Sequence, residues 1–398
     1  MSVEEVMEIY LDNLISRSLV NAFHKIGDYP SCQLHDLVHD FCLIKAKEEK
    51  LFGTISSSDL SSPSDLMLHT VVIYYDKEHF EHNNFVLFNS KIKRHSGKHL
   101  YSLAIAGDKM ADRLSNACHV RDLRLLRVLI LNPSFMRVKD SLLNEIGMLN
   151  HLRFLRIGTE VKSLPSSFSN LRNLETLADF ESSNANDSGP SVATNWSWDF
   201  HFPSNLKTLT LSDFPLASYS LSTIARLPNL ELLSLIRTII QGEEWNMGEG
   251  DTLANLKYLG LFEVTLAKWD FGEESFPVLE KLLLLGCRKL TEIPPNFGDI
   301  GSLKVIQLVE SPQLEDSTLE IKQYVEDITG KDRLQILGPN DIPLSKTGGT
   351  FKSIKRIGLM GLTNRSSFPS LLSSCYSCFL ICCEATDDIE KLVRNAIP

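Results

Sequence analysis

The residues of this chain with the clearest chemical potential are two histidines and two aspartates in the stretch QLHDLVHDF. His35 and His39 lie four residues apart, so a helix would place both imidazoles on one face, with Asp36 and Asp40 next to them. This pattern is close to H-E-x-x-H, in which two histidines bind zinc and the carboxylate acts as base. Asp36 is one methylene shorter than that glutamate, and no third ligand is evident. We therefore favour a capping and hydrogen-bonding cluster at a helix start over a metallohydrolase centre, and predict no metal site.

Two further groups contain residue types that bind metals. Five histidines lie between residues 69 and 99, without a nearby cysteine and at the spacing of no common zinc site. Four cysteines, Cys375, Cys378, Cys382 and Cys383, lie in an apolar run, whereas a zinc knuckle needs a second ligand pair and polar surroundings. That run is too short to span a membrane, although acylation could hold it at a membrane surface. We predict a solvated loop for the histidines and a hydrophobic tail for the cysteines.

Between these groups, much of the chain repeats one spacing of leucines, which is clearest in LRLLRVLIL at residues 123–131. Steps of about 22 to 32 residues separate the copies, which is typical of leucine-rich repeats built from one short strand and a returning segment. Eight clear copies can be aligned on Leu126, Leu152, Leu174, Leu206, Leu230, Leu256, Leu279 and Leu303. Two degenerate copies begin at Leu100 and Leu68. We predict an α/β solenoid, a curved parallel sheet with an irregular or helical convex side.

Charged residues recur directly after each aligned leucine: Arg127, Arg153, Glu175, Lys207, Glu231, Lys257, Glu280 and Lys304. From Glu175 onward the sign alternates at every step. Since neighbouring strands lie about 4.8 Å apart, each charge would lie between two opposite charges. This column is either a polar recognition strip or a self-paired ladder that holds the strands in register, and we favour the ladder.

The outward central places of the strands do not repeat in type, as a recognition surface would require. Aromatic and arginine side chains supply most of the energy at protein interfaces, so we predict partner contacts at such positions. The predicted contact residues on the concave face or in adjacent loops are Arg127, Arg156, Arg237, Trp245, Phe262, Glu263, Trp269 and Glu310.

The first fifty residues follow a different pattern. VEEVMEIYLDNLISRSLV has a helical apolar face, and a short apolar stretch, the turn KIGDYP and a second amphipathic segment follow it. Helix, strand, turn, strand and helix in this order predict a small winged-helix unit, which is too small to be a whole domain.

Composition excludes several classes of protein. The chain of 398 residues is 43% hydrophobic, enough for a large core, and its net charge of -10 argues against a sequence-independent nucleic-acid binder. The acidic N-terminus is no signal peptide, and no apolar run reaches membrane-spanning length. Single, scattered cysteines fit a reducing compartment. We therefore predict a cytoplasmic protein, with any membrane contact peripheral.

The winged-helix pattern, the stretch CQLHDLVHDFCLIKAKEE and repeats of the LPSSFSNLRNLETL kind together resemble plant nucleotide-binding (NB-ARC) leucine-rich-repeat disease resistance proteins. The likeness is to the coiled-coil class of the nightshade family, including late blight resistance homologues. Leu34, His35 and Asp36 match that family's Met-His-Asp motif, except that leucine replaces methionine. The resemblance implies that His35 approaches the β-phosphate of bound ADP and that Asp36 supports it. However, the chain contains no G-x-x-x-x-G-K-[ST] loop to cradle phosphates, so no cofactor is predicted for this fragment itself.

We accordingly predict the C-terminal part of such a receptor, a non-enzymatic module without the nucleotide-binding and coiled-coil domains. Its predicted parts are a partial winged helix at 1–55, a Ser-rich linker at 56–66, repeats at 67–345 and a Cys-containing tail at 346–398. The resemblance implies that the repeats recognise a pathogen effector or a guarded host protein and restrain a nucleotide switch for defence and hypersensitive cell death. The alternatives are a scaffold or adaptor, such as a ubiquitin-ligase substrate receptor, and a truncated decoy.

Overall fold

The computed structural model describes residues 13, 16–26, 29–34, 52–56, 70–75, 100–107, 120–132, 136–159, 164–182, 202–248 and 250–338. His35, Asp36, His39, the histidine-rich loop and the cysteine tail lie outside the described residues. Within the described ranges, no helix combines the length and apolar character needed to cross a membrane. The chain divides into two units, one extending from its start to Gly53 and a repeat unit that includes Val71–Ile342.

In the first unit, β1 (Val20–Ile26) and β2 (Tyr29–Leu34) form an antiparallel hairpin. Its register pairs Val20 with Leu34 and Ile26 with Tyr29, so the predicted turn lies between the two strands. The two predicted strands of the winged-helix pattern are confirmed, whereas residues 27 and 28 between them lie outside the described residues.

The repeat unit is organised on one long sheet. In chain order its strands are β3 (Phe52–Ser56), β4 (Thr70–Tyr75), β5 (Ser102–Gly107), β6 (Val128–Leu131), β7 (Arg137–Val138), β8 (Phe154–Thr159), β9 (Thr176–Ser182), β10 (Thr208–Ser212), β12 (Leu232–Ile236), β15 (Tyr258–Phe262), β17 (Lys281–Leu285), β18 (Val305–Val309) and β19 (Gln335–Leu337). The spatial order follows the chain from β3 to β19, except that β7 pairs with β8 off this path. The pairings between β5 and β19 are parallel.

The predicted repeats are confirmed strand by strand. Every sheet strand after an aligned leucine begins two residues beyond it, including those after the degenerate copies at Leu68 and Leu100. The aligned leucines and the central leucines of the strands are buried, as Leu206 and Leu209 show with no exposed surface. Parallel registers such as Leu233 with Leu259 stack these side chains into one continuous core. The strand β19 was not predicted.

Where the structure describes the return segments, the chain comes back from the strands through short elements. The helices are α1 (Asp140–Ile146), α2 (Ser218–Ala225) and α3 (Glu315–Thr329). The short strands are β11 (Pro215–Leu216), β13 (Ile239–Ile240), β14 (Glu244–Asn246) and β16 (Lys268–Asp270), which form the parallel pairs β11–β13 and β14–β16. Three-residue and five-residue 3-10 turns complete the return at Ser166–Asn170, Gln241–Glu243, Pro295–Asp299 and Pro312–Leu314. The core is enclosed between these elements and the sheet.

Candidate recognition surface

An apolar patch lies on the sheet face turned away from this core, here called the outer sheet face. Alternate residues of a strand point to opposite faces, so the residues between the core leucines form this surface. Leu232, Tyr258 and Leu283 pack against each other here and are 8%, 4% and 1% exposed, and the half-buried side chains of Phe262 and Val309 pack against them. These five residues define the apolar patch.

Gly260 shapes the middle of the apolar patch. A Cβ atom at this position would lie 2.6 Å from Cε2 of Phe262 and 3.1 Å from Cε1 of Tyr258. The two rings therefore close over the glycine from either side along β15, and any larger residue would push Phe262 aside. The absence of a side chain at Gly260 is what allows these rings to approach.

A column of residues with left-handed backbone follows the strand ends on four successive repeats beside and within the patch. Arg237, Glu263, Gly286 and Glu310 have φ values of 47°, 53°, 61° and 51°. Three of these four are not glycine, although such φ values favour glycine. The N–H groups of Arg237, Glu263 and Gly286 donate to the strand of the next repeat, as that of Glu263 donates to the carbonyl oxygen of Leu285. The column, here called the rim, places their side chains beside the apolar patch.

Asp213 lies one repeat before Arg237 and also has positive φ. Its carboxylate neutralises the charge of Arg237. Nε of Arg237 donates to Oδ1 of Asp213 at 2.8 Å, and Nη2 donates to Oδ2 at 2.7 Å. The Asp213 side chain is only 4% exposed, whereas that of Arg237 is 33% exposed. The predicted contact residue Arg237 is thus engaged in an ion pair within the chain.

The charges after the aligned leucines pair with each other, as the ladder interpretation predicted, but within the described residues only Glu175 has an ion-pair partner on both sides. Ion pairs link Arg153 with Glu175, Glu175 with Lys207 at 3.5 Å, Glu231 with Lys257 at 2.8 Å, and Glu280 with Lys304 at 2.7 Å. The hydrogen bond from Lys257 to Glu231 raises the pKa of Lys257. Because these side chains are largely exposed, each pair contributes only about 0 to 1 kcal/mol.

Five further predicted contact residues lie in different surroundings. The guanidinium carbon of Arg127 lies 4.8 Å from the ring centroid of Tyr101, a cation–π contact within the chain. Arg156 lies in β8, in register with Ala178 of β9 and away from the apolar patch. Phe262 lies in the patch itself, and the exposed residues Glu263 and Glu310 lie on the rim.

The prediction that Trp245 and Trp269 contact a partner from loops is wrong. Both lie at the centres of short strands, where they are 2% and 7% exposed and stack with centroids 5.4 Å apart. Phe271 and Phe297 surround Trp269 at 6.0 and 5.0 Å. Because large aromatic side chains gain most by leaving water, these tryptophans form the core on the returning side instead of a surface.

A column of asparagines, which the sequence analysis missed, connects successive repeats. The side-chain amide nitrogen of Asn173 donates to the carbonyl oxygen of Asn150, and Asn229 donates to that of Ser204 at 3.0 Å. Asn205 and Asn255 form the equivalent bonds. The signal was present in the sequence, because an asparagine precedes the aligned leucine in four successive repeats. These bonds satisfy carbonyl groups in the turns that precede the strands.

Cys287 is a buried free thiol, whose Sγ lies 3.4 Å from the carbonyl oxygen of Leu261. Burial raises its pKa to about 11. Since the thiolate is the nucleophile, we expect iodoacetamide at pH 8 to leave Cys287 unmodified in the native protein and to modify it in urea. Peptide mass spectrometry measures both extents of modification. Rapid native labelling would contradict this burial.

The raised pKa of Cys287 also makes the stability of the fold depend on pH. The thiol of the unfolded chain ionises near pH 8.5, whereas the folded chain holds Cys287 protonated. The contribution of Cys287 to the free energy of unfolding is therefore complete below about pH 8.5 and is lost as pH rises toward 11.

The parallel sheet, the buried leucine columns and the outer sheet face define a leucine-rich-repeat protein. The N-terminal residues 1–42 match the family model described as the disease resistance protein winged helix domain. Thus the fold class is an α/β leucine-rich-repeat solenoid preceded by a small winged-helix segment.

Curated relatives place the chain beside plant resistance proteins. It is 30% identical to late blight resistance protein homolog R1B-11 of Solanum demissum over 77% of this chain, and 26% identical to homolog R1B-23 over 77%. A further late blight resistance protein of the same plant is 26% identical over 76%. The chain spans 26%, 32% and 31% of the lengths of these relatives. Its homologues are late blight resistance proteins, as the sequence resemblance indicated.

Solved structures with a similar fold are distant in sequence. The plant peptide hormone receptor RGFR1 in complex with RGF2 is 14% identical, with a TM-score of 0.38 over 73% of this chain and 45% of that receptor. The leucine-rich-repeat domain of the type III effector XopL is 15% identical, with a TM-score of 0.27 over 85% of this chain and 96% of that domain. At these TM-scores the likenesses carry no functional argument.

Proposed function

We propose that this chain is a recognition module of a plant immune receptor, a non-catalytic surface that binds a pathogen effector or a guarded host protein. The observation that carries the proposal is the apolar patch on the outer sheet face. Phe262 and Val309 are its partly exposed members, above the buried Leu232, Tyr258 and Leu283, and a partly exposed aromatic side chain on a rigid sheet is suited to anchor a partner. The similarity to late blight resistance proteins supports the immune role.

In the same proposal the repeats restrain a nucleotide switch until the partner binds. Leu34 ends the hairpin strand β2, so the Met-His-Asp-like motif that continues with His35 and Asp36 begins where the hairpin ends. In an intact receptor His35 contacts the β-phosphate of ADP, with the phosphate-binding loop supplied by a nucleotide-binding domain. Release of the repeats triggers defence signalling and hypersensitive cell death from the cytoplasm.

A two-hybrid screen of the full chain against secreted effectors of a late blight pathogen and against host proteins tests the recognition role. We expect an interaction that Phe262→Ala weakens by roughly 30-fold or more, because a central anchor contributes about 2 kcal/mol. Gly260→Val should weaken it similarly, since the new side chain displaces Phe262.

The matched control is Tyr219→Ala, which truncates an aromatic side chain that is 48% exposed on α2. This variant should bind as the unchanged chain does. Interactions that survive Phe262→Ala and Gly260→Val would overturn the assignment of the patch. Capture of a ubiquitin-ligase subunit by the unchanged chain would favour the adaptor alternative.

A further inference from the structure

We propose that the apolar patch takes a basic peptide segment, one in which an arginine or lysine directly neighbours an aliphatic or aromatic anchor. This inference rests on the proposed protein-binding role of the patch and adds the chemistry of its partner. The observation behind it is the charge on the rim, where two exposed carboxylates flank a glycine directly beside the patch.

The rim residues are next in sequence to the outermost apolar side chains. Phe262, Leu285 and Val309 are half-buried ends of three adjacent strands, and Glu263, Gly286 and Glu310 follow them. Consecutive Cα atoms lie 3.8 Å apart, so a partner side chain seated on Phe262 or Val309 places its neighbours within reach of a rim carboxylate.

Glu263 and Glu310 are two strands apart, about 10 Å at the usual strand spacing. Gly286 lies between them without a side chain, and a Cβ there would meet Cγ of Glu263 at 3.1 Å. The stem of Glu263 therefore occupies the space that a side chain at Gly286 would fill, and this part of the rim carries two carboxylates and no third side chain. Arginine fits best, since its fork of donors reaches carboxylate oxygens in pairs.

Neither Glu263 nor Glu310 forms an ion pair among the described residues, and the cations of this region lie as follows. Arg237 is paired with Asp213, and Lys289 is paired with Glu243. The exposed Arg288 forms no ion pair within 4.0 Å among the described residues. Lys281 is 8% exposed and begins β17, five residues before Gly286, or about 16 Å along the strand. Hence the rim beside the patch carries two carboxylates without an ion-pair partner among the described residues, and the exposed Arg288 follows Gly286 by two residues.

Selection of random twelve-residue peptides displayed on phage, with the purified full chain as target, tests this chemistry. The expected peptides carry Arg or Lys within two residues of Leu, Ile, Phe, Trp or Tyr. Synthetic copies of them should bind the Glu263→Gln, Glu310→Gln double variant about 5- to 10-fold more weakly, because each rim ion pair contributes modestly. The loss should shrink at high salt, because salt screens exposed charges.

The matched control carries Glu273→Gln and Glu274→Gln, which remove two exposed charges from another loop. It should bind the peptides within 2-fold of the unchanged chain. Phe262→Ala should abolish binding of every selected peptide.

The outcomes separate this inference from the proposed function. Peptides that require Phe262 for binding but contain no excess of Arg or Lys would contradict the proposed basic partner. So would peptides that require Phe262 but bind the Glu263→Gln, Glu310→Gln variant as tightly as the unchanged chain. Either result would still support the patch as a protein-binding surface. Peptides that bind regardless of Phe262, or a selection that enriches nothing, would overturn the patch as a protein-binding surface and the inference with it.

Discussion

Replacing Phe297 with alanine is expected to lower the free energy of unfolding by about 3 to 5 kcal/mol, because the removed ring leaves a cavity that the core cannot close. Phe297 has no exposed surface. Its ring centroid lies 4.7 Å from Phe271, 5.0 Å from Trp269 and 5.9 Å from Phe276. Each of these aromatic partners would lose contacts together with the buried area.

Urea unfolding followed by tryptophan fluorescence measures this effect, since Trp269 lies in the same cluster. Tyr219→Ala is the matched control, because it removes an aromatic ring that is 48% exposed and should change stability by less than about 0.5 kcal/mol. Phe297→Leu should lose less than the alanine variant, as leucine fills part of the volume. A loss below about 1 kcal/mol in Phe297→Ala would contradict the aromatic core.

The sheet could be predicted from the sequence because its signal is local and repeats. Burial of leucine fixes the phase of every strand, so alignment on Leu126 and its equivalents also located the strands after Leu68 and Leu100. The charge ladder followed from the same phase, since parallel strands bring equivalent positions side by side. These predictions needed no knowledge of the returning segments.

The returning segments were harder to predict because their elements are short and unlike one another. Trp245 and Trp269 each lie between two exposed polar residues, as in Glu244–Asn246, and this alternation is the signature of a strand with one buried face. Among the described residues these two three-residue strands pair with each other and not with the long sheet, so nothing in the leucine phase indicated them. Aromatic residues in a presumed loop were therefore assigned to the surface.

The rim could not be predicted from the sequence, because three of its four residues adopt positive φ without being glycine, so their residue types do not reveal this conformation. Only Gly286 hinted at positive φ, whereas Glu263 and Glu310 adopt it at a cost that the neighbouring repeats impose. The N–H groups of Arg237, Glu263 and Gly286 bond to the next strand, as that of Gly286 does to Val309, and this repeated bond fixes the geometry. Thus the apolar patch follows from strand phase, while the position of the carboxylates beside it required the structure.

Replacing Arg237 with methionine is expected to cost about 2 to 4 kcal/mol of stability, since it leaves a buried carboxylate without its partner. Asp213 is 4% exposed and accepts both guanidinium hydrogen bonds, at 2.8 and 2.7 Å. Methionine keeps much of the aliphatic stem of arginine, so the loss reports the charge and hydrogen bonds more than packing. Urea denaturation of the purified chain measures it.

The double variant Asp213→Asn with Arg237→Met should recover most of that loss, because asparagine is neutral and tolerates the left-handed φ of 60° at this position. A double-mutant cycle then gives a coupling of about 1 to 3 kcal/mol between the two side chains. If the stability losses of Asp213→Asn and Arg237→Met simply add in the double variant, the two side chains are not coupled. In that case the charge of Arg237 would not be tied to Asp213, and Arg237 would be available to a partner.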